Sequence, residues 1–443
     1  MSAASWQAAG QLEWWRPETP TGRAYSLRTP REGALPFAGL LAFTFILLLA
    51  PQNAISGLAG LRIALLAAGG AIVAELAGRF VRGQPLTRID AETALAAGLI
   101  GWAVCSVPLS LWPGGSVALI LDLYVKAFAV FWLISNVVNS PGRLRTMLWA
   151  LALLMVPLTV TALRHFMLGD FLKGAPIERI EGYDAPLTQN PNDLALMLNL
   201  VLPLCAGLFF STRSFAARAL LLGVMALHAV AVVLTFSRAG FLALAASVLL
   251  YLFKLGRRGA WAAVAIVVVL LALALPFQPS GYDDRLATIT NFKSDPTQSA
   301  QSRWRDLRAA AEFVLEHPLI GAGAGMDVLA LNEVRGTQWL AVHNAYLQYA
   351  VDLGLPGLLL FVLLLRACLR DTRWVQRSCG LSERRELFYW AEGIQVSLLA
   401  FALAALFHPV AYQFYFFYVA GLAVAVRVVC EAARREQPEQ ATP

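Results

Sequence analysis

Long apolar runs alternate with short polar breaks along almost the whole chain. The runs fall near 34–50, 58–78, 91–111, 116–138, 146–165, 191–210, 216–236, 239–255, 260–277, 345–369, 388–407 and 410–430. Each is close to the roughly 20 residues that carry a helix across a bilayer's hydrocarbon core. The pattern predicts an all-α polytopic membrane protein with about twelve transmembrane helices. It divides into a cytoplasmic N-terminal tail (1–33), transmembrane helices 1–9 (34–277), one large outside loop (278–344), transmembrane helices 10–12 (345–430) and a C-terminal tail (431–443).

The long polar stretch, Ser299 to Gly357, breaks the alternation. Within it, 300–316 predicts a short amphipathic helix with Trp304, Leu307, Ala311, Val314 and Leu315 as one stripe. A half-helix over 344–353 is interrupted at Gly354-Leu355-Pro356-Gly357 before the span resumes. Broken helices at membrane depth are tolerated where they line a cavity.

Composition agrees with the pattern. Hydrophobic residues make up 58% and charged residues 14%, against about 25% charged in an ordinary soluble domain. The net charge of +7 needs no nucleic acid to explain it, because loop asymmetry accounts for it. With both termini inside, the inside segments hold Arg16, Arg23, Arg28, Arg31; Arg79, Arg82, Arg88; Arg143, Arg145; Arg213, Arg218; Lys254, Arg257, Arg258; a run from Arg366 to Arg385; and Arg427, Arg434, Arg435. The short outside loops near 51–57, 112–115 and 408–410 carry no Lys or Arg. This is the positive-inside distribution, and it puts 278–342 outside.

The first 33 residues lack the n-region and cleavage pattern of a secretory signal and are expected to be a disordered tail, with Trp14 and Trp15 able to touch the membrane surface. Cys105, Cys205, Cys368, Cys379 and Cys430 lie in spans or inside and have no metal-type spacing. No disulfide framework is expected.

The candidate chemistry is sparse. Asp122 and Lys126 sit four residues apart in the fourth span, either as a functional intramembrane charge or as a neutralising pair holding two helices together. Asn190-Pro191 reads as a helix N-cap with Pro in the first turn. Arg179 lies in an outside loop where cations are scarce. Arg238, in Thr235-Phe236-Ser237-Arg238-Ala239-Gly240, is a cation in a short outside turn. It can anchor to lipid headgroups or grip a phosphate bidentately.

In the long loop, Arg308 has Glu312 at i+4, Arg305 shares that charged side, and Arg303 lies on the other flank of the stripe, the best placed of the three to enter a site. Gly321-Ala322-Gly323-Ala324-Gly325 is a turn or a phosphate cradle. His343 has polar neighbours at the outer surface and a side chain of near-neutral pKa, for structure or for catalysis. His317 is expected to cap a helix end. His165, His228 and His408 lack comparable surroundings.

These motifs in this order resemble the bacterial O-antigen ligase and O-antigen polymerase superfamily, which also includes protein O-oligosaccharyltransferases. The resemblance rests on Ser237-Arg238-Ala239-Gly240, Ser302-Arg303, His317-Pro318-Leu319-Ile320-Gly321-Ala322-Gly323, His343-Asn344-Ala345-Tyr346-Leu347, Gly354-Leu355-Pro356-Gly357 and the upstream Gln189-Asn190-Pro191-Asn192-Asp193. It covers roughly 175–370.

The resemblance implies a GT-C-type membrane glycosyltransferase of the bacterial inner membrane. Its active site would face the periplasm and act on a glycan carried by undecaprenyl pyrophosphate. Arg238 and Arg303, with Arg179 as a third, match the family's pyrophosphate-binding arginines. His343 matches the histidine implicated in catalysis, with Arg305, Asn344 and Tyr346 as candidate supports.

A preorganised arginine cluster would stabilise the dianion left when the sugar–pyrophosphate bond breaks, and a neutral His can serve as general base. No cofactor and no metal is expected, only a metal-independent inverting transfer. The acceptor is lipid A–core, a second glycan or a protein hydroxyl, so the motifs leave ligase, polymerase and protein transferase open. The competing class is a transporter or flippase for a lipid-linked anion, although the helix interruption falls in one half of the chain only, unlike many internally repeated transporters.

Overall fold

The computed structural model describes residues 33–435 except 59, 172–178, 181, 183–184, 186, 189, 275, 277–280, 284–285, 288–298, 337–338 and 381–383. The N-terminal tail apart from Gly33, much of the 278–298 loop and the last eight residues lie outside the description.

The apolar runs form α1 (Ala34–Leu49), α2 (Ile63–Val81), α3 (Ala91–Ser106), α4 (Pro113–Val137), α5 (Pro141–Leu168), α6 (Pro191–Ser211), α7 (Phe215–Leu234), α8 (Arg238–Arg257) and α9 (Trp261–Ala274). The polar stretch gives α10 (Ser299–Glu316) and α11 (Asp327–Arg335), followed by α12 (Ala345–Ser378), α13 (Arg385–Ala404) and α14 (Phe414–Arg435). Among the described residues, ten helices are long and apolar enough to cross a membrane, while α1 and α9 are apolar but shorter. No strand occurs among the described residues.

Helices α6, α13 and α14 are buried over most of their surfaces. At the α6–α13 contact, a Cβ on Gly207 would lie 2.7 Å from the Tyr389 carbonyl oxygen, and one on Gly393 would lie 2.5 Å from that of Pro203. Only glycine permits that approach, the usual device for packing helices where lipid offers no hydrophobic contrast. At the end of the bundle far from His343, Arg427 reaches Asp90 (2.8 Å), Asp371 (3.1 Å) and Glu92 (3.4 Å), and Arg370 reaches Glu92 (2.8 Å). This ties α3, α12 and α14 together.

Helix α12 breaks at Gly354, where φ is 68° and ψ −175°. The break removes two helical donors. The Leu355 N–H turns away to the Pro318 carbonyl (2.7 Å), and Pro356 has no N–H. The carbonyls of Val351 and Asp352 would then be buried without partners, at a cost a fold does not tolerate. The glycine segment supplies them: Ala322 N–H donates to Val351 (2.7 Å) and Gly323 N–H to Asp352 (2.8 Å). Gly325 N–H donates to the Asp352 carboxylate (2.9 Å), as does the Tyr412 hydroxyl (2.9 Å). The N–H groups of Ala322, Gly323 and Gly325 are therefore committed to α12 rather than held open as a phosphate cradle.

Three further expectations are corrected. The buried face of α10 runs through Asp306, Ala309, Ala310, Phe313 and Val314, whereas Trp304 is 63% and Leu315 81% exposed. The reason is tertiary: Asp306 is drawn inward by a buried ion pair with Arg335 of α11. Asp122 and Lys126 do pair (3.7 Å), but on an exposed flank of α4 and within one helix, so the pair does not clamp two helices. Cys379 and Cys430 are joined in a disulfide. Their sequence separation of 51 hides a proximity set by the packing of α12 beside α14.

Candidate active site

The first turn of α6 organises the site. Asn190 caps the helix, its side-chain oxygen accepting from the N–H groups of Asn192 (2.9 Å) and Asp193 (3.0 Å), with Pro191 in the first turn. The cap fixes the backbone, leaving the Asn192 and Asp193 side chains to point at two different neighbours.

Asn192 serves the arginines. Its Oδ1 accepts from the Arg179 guanidinium (2.8 Å) and from the Ser237 hydroxyl (2.8 Å). Arg179 Nε donates to the Thr235 carbonyl (2.9 Å). Ser237 in turn caps α8 by accepting from Gly240 N–H (3.2 Å), and Asn199 of α6 donates to the Gly240 carbonyl (3.0 Å). Arg238 is the first residue of α8, so its backbone position follows from this cap. Arg179 and Arg238 thus share one anchor although 59 positions separate them in the chain.

Asp193 serves a histidine. Its Oδ1 lies 2.9 Å from His408 Nε2. His408 follows α13, and that end of α13 is stitched to the start of α12: Ala345 N–H donates to the Ala405 carbonyl (2.8 Å), and the Tyr346 hydroxyl to Ala402 (2.9 Å). His343 is carried to the same place.

His343 is held from both sides in sequence. After it, Asn344 caps α12 by accepting from Leu347 N–H (3.0 Å). Before it, Asp327 Oδ2 accepts from Val342 N–H (2.9 Å), and Arg335, already paired with Asp306, donates to the Leu340 carbonyl. Burial pushes the Asp327 carboxyl above its usual range, and the Val342 N–H opposes that rise.

Arg303 projects from the inward flank of α10 and is half-buried. Burial pushes the His343 imidazole down to about 4, helped by the positive charge of Arg303 and then by His408. The ring is therefore neutral at neutral pH, beside the guanidinium of Arg303, which is charged at any ordinary pH. Such a constellation can hold an oxyanion and accept a proton beside it.

Of the candidate supports, Arg305 lies on the exposed face of α10, Asn344 acts as a helix cap, and the Tyr346 hydroxyl is spent on the α13 backbone. His317 sits at the end of α10, within 3.3 Å of the Phe313 carbonyl. Sequence reasoning missed Asn192, Asp193 and His408. A signal for the first two was available in the Asn190-Pro191-Asn192-Asp193 turn, whose cap frees the two following side chains; for His408 there was none.

No curated protein matches the chain. Residues 220–362 match a family model described as O-antigen ligase. The matched segment runs from α7 into α12 and includes Arg238, Arg303 and His343, while Arg179, Asp193 and His408 lie outside it. Over that segment, about a third of its length, the chain is similar to the O-antigen ligase family.

Proposed function

We propose that the protein transfers a glycan from undecaprenyl pyrophosphate to an acceptor hydroxyl at the periplasmic face, with lipid A–core as the acceptor. The observation that carries this reading is a histidine kept neutral beside Arg303, with Arg179 and Arg238 fixed to the same first turn of α6 that holds His408.

The acceptor oxygen attacks the anomeric carbon as the bond from that carbon to the pyrophosphate oxygen breaks. The bonding electrons leave with the pyrophosphate, whose new charge meets the guanidinium groups. The acceptor proton passes to His343. Attack from the face opposite the leaving group inverts the anomeric centre and needs no covalent intermediate and no metal.

Free His343 is a weak base because burial and Arg303 both oppose its protonation. Donor pyrophosphate bound to Arg303 offsets that positive charge. The imidazole then becomes more basic when the donor is in place, which couples donor binding to proton abstraction.

The test uses purified full-length protein in nanodiscs with undecaprenyl-pyrophosphate glycan and EDTA. Lipid A–core, a second donor molecule and an acceptor protein are offered in turn. Glycosylated lipid A–core is the expected product. Product with another acceptor reassigns the branch. No product with any acceptor, together with lipid movement between leaflets in liposomes, would overturn the transferase reading in favour of a transporter.

A further inference from the structure

The end of α12 far from His343 carries a feature the transfer reaction does not use. Arg366, Arg370, Arg373 and Arg377 recur at spacings of four, three and four residues and are all exposed. They fall on one helical face. With Val362, Leu365, Leu369 and Trp374 they line a cavity of about 630 Å³, within the range of roughly 300–1,000 Å³ common for small-ligand sites. Arg434 of α14 stands 5.8 Å from the centre of the Trp374 ring.

The lining is graded along the helix. Val362 and Leu365 lie toward the centre of α12, and Arg373, Trp374 and Arg377 toward its end. Arg366 to Arg377 lie roughly 30–50 Å along the helix from Ala345, at about 1.5 Å per residue, so this groove is at the opposite membrane surface from His343.

Arg370 is partly neutralised by Glu92 (2.8 Å) and Asp371 (3.5 Å). Among the described residues, Arg366, Arg373 and Arg377 have no ion-pair or hydrogen-bond partner. Like charges at such helical spacings repel one another, and an anion seated among them removes that cost.

We propose that this groove binds the headgroup of an anionic phospholipid. The phosphodiester sits among Arg366, Arg373 and Arg377, Trp374 lies at the interfacial level where indole rings are favoured, and the acyl chains follow Val362 and Leu365. Charge complementarity and the apolar-to-basic gradient select a lipid over a soluble anion, which would gain nothing from the apolar half. Basic pockets at one membrane surface are a recognised form of lipid site.

The test is native mass spectrometry of the full chain, delipidated and then titrated with dioleoylphosphatidylglycerol or dioleoylphosphatidylcholine. Wild type should retain phosphatidylglycerol in preference, and retention should fall with salt. R366Q/R373Q/R377Q should weaken it on the order of a hundredfold, from the attraction of each interfacial cation. If the triple variant does not fold, R377Q alone should lower retention several-fold. Equal retention of the two lipids, no change in R377Q, or displacement by millimolar inorganic phosphate alone would overturn the proposal.

Discussion

Replacing Arg303 by Gln tests how the site sets the basicity of His343. The ordinary value of 6.5 falls to about 4 in the folded protein, a difference of roughly 3 kcal/mol at about 1.4 kcal/mol per pH unit. Burial is the larger cause and Arg303 the next, so the substitution returns less than half of the fall, about one pH unit or ~1.4 kcal/mol. The His343 midpoint should therefore rise toward 5.

Imidazole ¹⁵N shifts of histidine-labelled protein in nanodiscs give the midpoint without requiring turnover, with His343 assigned by its loss in His343→Gln. Inorganic pyrophosphate added to wild type should move the midpoint the same way, because it offsets the same charge. A midpoint that stays put or falls in Arg303→Gln would refute the electrostatic link between α10 and His343.

His343→Ala should abolish transfer while leaving donor binding intact, whereas Arg238→Ala and Arg303→Ala should weaken donor binding as well; wild-type turnover in His343→Ala would sink the base assignment. Because the folded value of His343 lies below its unfolded one, its contribution to stability is complete above about pH 6.5 and is lost as pH falls toward 4; His343→Gln should flatten that part of the stability–pH curve in denaturant titrations. Asp327→Ala leaves the Val342 N–H without its acceptor, at about 1–3 kcal/mol, and should lower kcat with little change in donor affinity, measured by turnover and binding in parallel. Gly354→Ala forces a Cβ to within 2.4 Å of the Leu319 carbonyl oxygen at a φ of +68°, and should reduce the yield of folded protein seen by size-exclusion chromatography.

The ten long apolar helices were legible because each is a local property: a run of apolar residues of membrane length reads the same whatever it packs against. The break at Gly354 was legible for the same reason. The face of α10 was not. Its hydrophobic stripe favours Trp304 and Leu315, but the buried Asp306–Arg335 pair outweighs it, and that pair joins two different helices. His408 had no polar signature of its own, and only the stitching of α12 to α13 brings it beside His343. The glycine segment left a turn and a phosphate cradle both open because its composition is shared by any backbone that must approach another closely. Arg179, Arg238 and His343 could be picked out one by one, but the anchoring of Arg179 and the Arg238 turn to Asn192, and of His408 to Asp193, required the fold.

The seating of the glycine segment also fixes an order of events during synthesis. Its donors close onto Val351 and Asp352, some thirty residues later in the chain, and two of its carbonyls receive Leu111 N–H (2.8 Å) from the α3–α4 turn and the Ser116 hydroxyl (2.9 Å) from the first turn of α4. Neither half of the chain can complete this junction alone. α10 is tied to α11, and both pack on α12, so Arg303 reaches its final place only after α12 has entered the membrane. A chain arrested before that point would hold Arg179 and Arg238 but not yet His343 and Arg303 in their final places, which wait for the tenth apolar segment.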